Sequence, residues 1–244
     1  MAYHVNNFLI SFIILTIFCF TSTQAANIDV INQCPYTVWA AARPGEGIGN
    51  ETGQWRPGGG RRIETGQSWQ LTLGPGTSGA RIWGRTKCNF DANGRGGNCE
   101  TGDCNNLLEC DGYGTPPVTL AEFAPNQDNN TDFLVISLVD GFNIPMEFGP
   151  VSADASCKKL SCAGVDLISQ CPKQLRAQGG CNNPCNVFNT DEYCCTPERD
   201  GCGPTDYSRY FKDRCPDAKS YPIDDVTSQS SCPGGTNYKV VFCP

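Results

Sequence analysis

Three cysteines fall within twelve residues in the stretch Cys99-Glu-Thr-Gly-Asp-Cys104-Asn-Asn-Leu-Leu-Glu-Cys110, with two glutamates and an aspartate among them. Thiols and carboxylates this close together can hold a metal, exchange disulfides or simply staple the chain. The C-x4-C-x5-C spacing matches neither the tight cysteine pairs of a four-cysteine zinc site nor the spacings of iron–sulfur proteins. It therefore reads as a structural staple, and no metal or cofactor is expected.

The rest of the chain narrows the chemistry further. Residues 8–20, FLISFIILTIFCF, are apolar apart from Ser11 and Thr16, and are shorter than the ~20 residues of a membrane span. Thr23-Gln24-Ala25 suits a signal-peptidase cut before Ala26, so residues 1–25 read as a signal peptide, though one with no Lys or Arg in its n-region. Cleavage removes Cys19, and seventeen cysteines become sixteen. That even number can close as eight disulfides in the oxidising secretory compartment, with no thiol left to react. Cleavage also removes His4, the one histidine. A chain without histidine has no Ser-His-Asp triad, no Cys-His pair and no His-ligated zinc or haem. The chemistry falls to carboxylates. The net charge of -7 argues against nucleic acid and against adhesion to anionic membranes, and no later segment reads as a stable membrane insertion.

The elements that must position such carboxylates are short strands. NIDVINQCPYTVWAAA reads as a strand, SWQLTL and ARIWGRT as two more, and NYKVVFC closes the chain as another. TDFLVISLVDGFNIPMEF reads as two strands joined at Asp140-Gly141, a turn dipeptide. RPGEGIGNETGQWRPGGGRR reads as a Gly/Pro-rich loop. Residues 157–215 hold nine cysteines and two helical hints. CAGVDLISQC precedes Pro172, and TDYSRYFKDRC places Tyr207, Tyr210 and Phe211 at i, i+3 and i+4 behind Thr205 as N-cap. A mainly β fold, sandwich or barrel, carrying a cysteine-rich, partly helical lobe is expected, with a groove between the two. Asn50-Glu51-Thr52 and Asn129-Asn130-Thr131 are glycosylation sequons in polar sequence.

The segments NQCPYTVWAAA, ARIWGRTKCNF, CETGDC, TLAEF, ISLVDGFNIPMEF, GGCNNPC, EYCC, CGPTDYSRYFKDRCPDAKSYPIDD and NYKVVFCP together resemble the thaumatin-like proteins, the pathogenesis-related plant group that includes thaumatin and osmotin. The resemblance covers essentially all of residues 26–244. It implies a single domain with a flattened two-sheet sandwich (about 26–85, 116–156 and 221–244), a small disulfide-bonded excursion (about 86–115) and a cysteine-rich lobe (about 157–220). It implies the pairs Cys34–Cys243, Cys88–Cys99, Cys104–Cys110, Cys157–Cys232, Cys162–Cys215, Cys171–Cys181, Cys185–Cys194 and Cys195–Cys202. Sequence alone leaves roughly two million pairings of sixteen cysteines open.

The family's acidic cleft is made by one Arg, one Glu and three Asp. By motif, Arg81 and Glu122 take the first two places, Asp140 another, and Asp225 of SYPIDD, with Asp224 beside it, a fourth. The last falls on Val135, where this chain has no carboxylate. Lesser departures are GRGGNC, one residue longer than usual before Cys99, Asn105-Asn106 in place of a glycine, and an extended loop at 43–60. The resemblance implies a secreted, monomeric, antifungal defence protein that binds fungal cell-wall β-1,3-glucan. Hydrolysis would be that of a weak endo-β-1,3-glucanase at most, with Glu122 as acid and Asp140 as base. The loss of a carboxylate at Val135 lowers the groove's negative field and its power to raise a neighbour's pKa. The alternatives are a non-enzymatic protein that perturbs membranes, inhibits a hydrolase or binds a receptor, or a persistent stress protein and allergen. The chain stops at Pro244, directly after Cys243, where vacuolar members carry an extension, which points to the apoplast.

Overall fold

The structure, a computed structural model, describes residues 26–43, 59–73, 79–127, 129–152, 157–163, 166–196, 202–224 and 227–244. The expected first strand divides in two, β1 (Ala26–Asn32) and β2 (Val38–Arg43), which enter different sheets. A side chain makes the break. Asn32 is fully buried, its Nδ2 donates to the carbonyls of Tyr36 and Ile63, and its Oδ1 accepts from the amide of Cys34. Asparagine thus offers the backbone an alternative to continuing the ladder.

The remaining strands are β3 (Gly59–Ile63), β4 (Ser68–Leu73), β5 (Ala80–Arg85), β6 (Leu120–Gln127), β7 (Thr131–Ser137), β8 (Met146–Pro150), β9 (Leu160–Cys162), β10 (Arg176–Ala177), β11 (Gly180–Cys181), β12 (Ala218–Lys219), β13 (Gln229–Pro233) and β14 (Tyr238–Phe242). One sheet runs β4-β1-β14-β8-β9, with β1 and β14 parallel at its centre. The other runs β3-β2-β5-β6-β7, and β12 and β13 share the outer edge of β7. β3 lies partly within the sequence expected to be loop, because Gly59–Ile63 pairs with β2. The two strands expected around Asp140-Gly141 do not form a hairpin: β7 and β8 belong to opposite sheets.

The sheets face each other as a sandwich. Ile28, Val30, Val240 and Phe242 meet Ile82, Leu134 and Ile136 in one buried cluster. Phe123 and Tyr238 each pack edge-on against Phe148 and tilted against each other, and the Tyr238 hydroxyl donates to buried Asp132 at 2.7 Å. Each such large side chain stabilises the fold by about 1.5–3 kcal/mol when fully buried.

β1 keeps the alternating burial of a one-sided strand. β2 and β5 do not, because the outer face of their sheet is also covered at one end. Residues 86–118 fold across it, closing a second cluster of Ala41, Trp83, Cys104, Cys110, Val118 and Leu120. Trp83 donates from Nε1 to the Gly102 carbonyl at 3.0 Å. Arg85 is wholly buried and donates to the carbonyls of Trp39, Ala40, Leu107 and Leu108. Burial lowers its pKa to about 10, against the opposing charge of Asp103. Gly60 of β3 passes so close that an added Cβ would lie 1.6 Å from the Leu108 carbonyl oxygen. Asn105 and Asn106, at the site of the missing family glycine, both adopt positive φ, the left-handed conformation that asparagine tolerates best among side-chain-bearing residues.

The lobe carries α1 (Pro184–Phe188), α2 (Asp191–Cys194) and α3 (Asp206–Arg214). Thr205 caps α3 in a reciprocal box with Ser208, and Phe211 is buried. The other helical hint fails. Cys162 ends β9, and residues 167–170 form turns. There the Leu167 carbonyl accepts from the Tyr210 hydroxyl rather than from a helical amide. Eight disulfides join Cys34–Cys243, Cys88–Cys99, Cys104–Cys110, Cys157–Cys232, Cys162–Cys215, Cys171–Cys181, Cys185–Cys194 and Cys195–Cys202. Such a set belongs to an oxidising compartment. Among the described residues, no helix is long and apolar enough to cross a membrane.

Candidate functional site

The outer face of the larger sheet is open beyond the edge of the excursion. Strand register lays one row of residues across it: Arg43 of β2 opposite Arg81 of β5, Arg81 opposite Glu122 of β6, Glu122 opposite Val135 of β7, and Val135 opposite Gln229 of β13. Residues directly opposite on neighbouring strands point to one face with Cβ atoms about 5 Å apart. The first four are half-buried and Gln229 is exposed, so the row is partly shielded from solvent over most of its length.

Arg81 Nε lies 3.0 Å from Glu122 Oε1. Both side chains keep part of their surface in water, so the pair orients the carboxylate more than it stabilises the fold. Tyr113, reaching over from the excursion, stacks on Arg81 and on Arg43, with centroid distances of 4.9 Å and 5.2 Å. Asp140 enters from the turn after β7. The turn is held by the Val118 amide donating to the Asp140 carbonyl, and by Gly141 at φ +89°, where an added Cβ would strike the Cys181 carbonyl at 2.6 Å. Burial pushes the Asp140 carboxyl above its ordinary value, and the nearby Arg81 charge pulls the other way. Of the two carboxyls expected to serve as acid (Glu122) and base (Asp140), the one raised by burial is Asp140, and Glu122 is ion-paired.

The SYPIDD aspartates divide. Asp224 accepts from the amide and the hydroxyl of Ser220, both at 2.9 Å, and lies 3.2 Å from Lys212 Nζ. Burial acts to raise its pKa, but these donors together lower it. Its carboxylate thus closes the turn after β12 and ties it to α3. Asp225, the favoured cleft residue of this pair, lies outside the described residues, as does Asn50. Asn129 sits exposed in the turn between β6 and β7. A cavity of about 410 Å³, lined by Tyr36, Trp39, Lys87, Glu100 and Asn143 among others, lies at the opposite ends of β2 and β5. It shares no residue with the row. Two residues of the row's surroundings escape sequence reading, Arg43 and Tyr113. Nothing local marks them, since only strand register and the fold of the excursion bring them to Arg81.

A sequence model of the thaumatin family matches residues 32–244. The chain belongs to the thaumatin family. A thaumatin-like protein of Actinidia deliciosa is 54% identical over 235 residues, covering 96% of each chain. Zeamatin of Zea mays is 54% identical over 222 residues, covering 91% of this chain and 92% of its own. Among solved structures, a laminaripentaose-producing β-1,3-glucanase in complex with laminaritetraose superposes with a TM-score of 0.54. It is 10% identical, over 91% of this chain and 99% of its own, which is a likeness of fold. The expected family and the expected β-sandwich with its disulfide-rich lobe are both borne out.

Proposed function

We propose that this protein is a secreted, monomeric defence protein whose groove binds the β-1,3-glucan of fungal cell walls, and that binding rather than turnover is its principal activity. The observation that carries the reading is the Arg81–Glu122 pair, with Asp140 beside it, on the open half of an otherwise covered sheet face. An ionised carboxylate fixed by a guanidinium accepts hydrogen bonds from sugar hydroxyls, and a half-buried groove excludes part of the competing water. The fold shared with a β-1,3-glucanase that holds laminaritetraose supports the choice of glycan. Glycoside hydrolysis needs an acid and a base or nucleophile flanking the bond. Here Asp140 would give the proton and Glu122 would activate water, but Glu122 is held by Arg81 and Val135 supplies no third carboxylate. The exposed Asn129 is the proposed glycan carrier among the described sequons.

The test is retention of purified mature protein on insoluble β-1,3-glucan, with titration of soluble laminari-oligosaccharides, beside a Glu122→Gln variant. Saturable binding weakened about tenfold in the variant is expected, because a charged hydrogen-bond acceptor contributes about 1.5 kcal/mol. Absence of saturable binding by the unaltered protein would overturn the reading. Reducing-end counts on the same samples measure any turnover.

A further inference from the structure

Arg43 is the unexplained residue of the groove. It stands directly opposite Arg81 in the β2–β5 ladder, and like charges at opposed positions destabilise a sheet. Arg81 has Glu122 as its counter-ion. Arg43 has no ion-pair partner among the described residues, and its Nη1 atom is buried without a hydrogen-bond partner. A buried, unsatisfied guanidinium N–H costs free energy unless something occupies it. Stacking on the Tyr113 ring fixes both guanidiniums in place, so a ligand that meets them has less side-chain freedom to freeze.

The charge balance along the row sharpens the point. With Val135 where the family places an aspartate, the described groove offers Glu122 and Asp140 against Arg43 and Arg81. The β2 end is the cationic end, and Arg43 there has no counter-ion and a buried Nη1 donor without an acceptor among the described residues. A planar guanidinium bonds a carboxylate through two parallel N–H donors, and a uronate carries that group directly on the sugar ring. Resting on the glycan-binding reading, we infer that the β2 end of the groove is a subsite for a uronate, so that the glycan preferred by this protein carries a carboxylate on the residue bound beside Arg43 and Tyr113. The net charge of -7 opposes a polyanion at long range. That field is screened within about 10 Å at ordinary ionic strength, whereas a direct guanidinium–carboxylate bond is not. The ligand is accordingly a glycan with isolated uronates, not a polyuronate.

The experiment compares two probes by titration calorimetry: a neutral β-1,3-linked glucotetraose, and the same tetraose with one glucuronate. The quantity read is the ratio of their affinities. The mature protein is expected to favour the uronate probe about tenfold at ordinary ionic strength, the worth of one charge-assisted hydrogen bond. Arg43→Ala should bring the ratio to unity, and Arg43→Lys should keep part of it. Near-ultraviolet circular dichroism verifies that both variants fold. A ratio of one for the unaltered protein that binds the neutral probe overturns the subsite and leaves the glucan reading standing. A preference that persists in Arg43→Ala also overturns it. Binding of the uronate probe alone, lost in Arg43→Ala, upholds the subsite and overturns the neutral-glucan reading. Binding of neither probe overturns both.

Discussion

Val135→Asp puts a carboxylate back where the row lacks one, and its consequences follow from the register. Val135 lies directly opposite Glu122 on the neighbouring strand, and both side chains are half-buried on the outward face. Cβ atoms about 5 Å apart leave the two carboxylates about 5.5 Å apart. With an effective dielectric constant of about 40, between the values for surface pairs and for bulk water, their repulsion is about 1.5 kcal/mol. That is about one pKa unit. Arg81 already bonds Glu122, so most of the upward shift should fall on the new aspartate and on Asp140, which burial has already raised. The assay is a titration of side-chain carboxyl carbons by NMR in the unaltered protein, Val135→Asp and the uncharged control Val135→Asn. Reducing ends released from linear β-1,3-glucan are counted alongside. A carboxyl titrating about one unit above ordinary aspartate is expected. Turnover in Val135→Asp should exceed that of both other proteins, because an acid with a pKa nearer the working pH donates its proton more readily. If the introduced carboxyl titrates at the ordinary aspartate value and no other carboxyl moves, residues 122 and 135 do not share a groove and the reasoning fails.

Arg85→Met removes the donors that hold the excursion's Leu107 and Leu108 carbonyls and the β2 carbonyls of Trp39 and Ala40. It should cost about 3 kcal/mol, read in urea with disulfides intact, together with faster amide exchange at Leu108, whose N–H donates to Gly94. Thr205→Ala dissolves the capping box of α3 and should cost about 1 kcal/mol, measured as a lower thermal midpoint. Asp140→Asn gives a pH-dependent result. The folded carboxyl titrates above its ordinary value of 3.8, so its stabilising share is complete below that pH and is lost as pH rises through the folded pKa. The variant should therefore gain stability over the unaltered protein with rising pH above about 4, and a stability difference that grows instead toward lower pH would contradict the buried placement of this carboxyl.

Much of the fold is legible in local sequence. The α3 segment announces itself through Thr205 and the spacing of Tyr207, Tyr210 and Phe211, because a capped amphipathic helix is specified by residues within one or two turns of each other. The strands at 68–73 and 238–242 are equally local. The reading failed where a buried side chain or a distant partner decided the outcome. Asn32 split one apparent strand into two, and the Leu167 carbonyl went to Tyr210 from another element instead of to a helical amide. Of the candidate cleft residues, Arg81, Glu122, Val135 and Asp140 were found by motif. The burial of Asp140 and the ion pair on Glu122 are not legible there, because they depend on which strands lie side by side.

The sequence by itself determined what chemistry this protein can lack and what it must use. With His4 in a segment read as a signal peptide and an even set of cysteines behind it, imidazole and free-thiol chemistry are removed and the carboxylates become the first candidates, and the string of matching segments placed the chain in its family. Only the tertiary structure decided which of those groups meet. Arg43, Arg81, Glu122 and Val135 span more than ninety positions of sequence, yet the backbone ladder of four strands sets them in one row. Register is a cooperative property of the whole sheet, fixed by which face of each strand is buried. No local pattern could bring Lys212 to Asp224 or leave Arg43 Nη1 without an acceptor among the described residues.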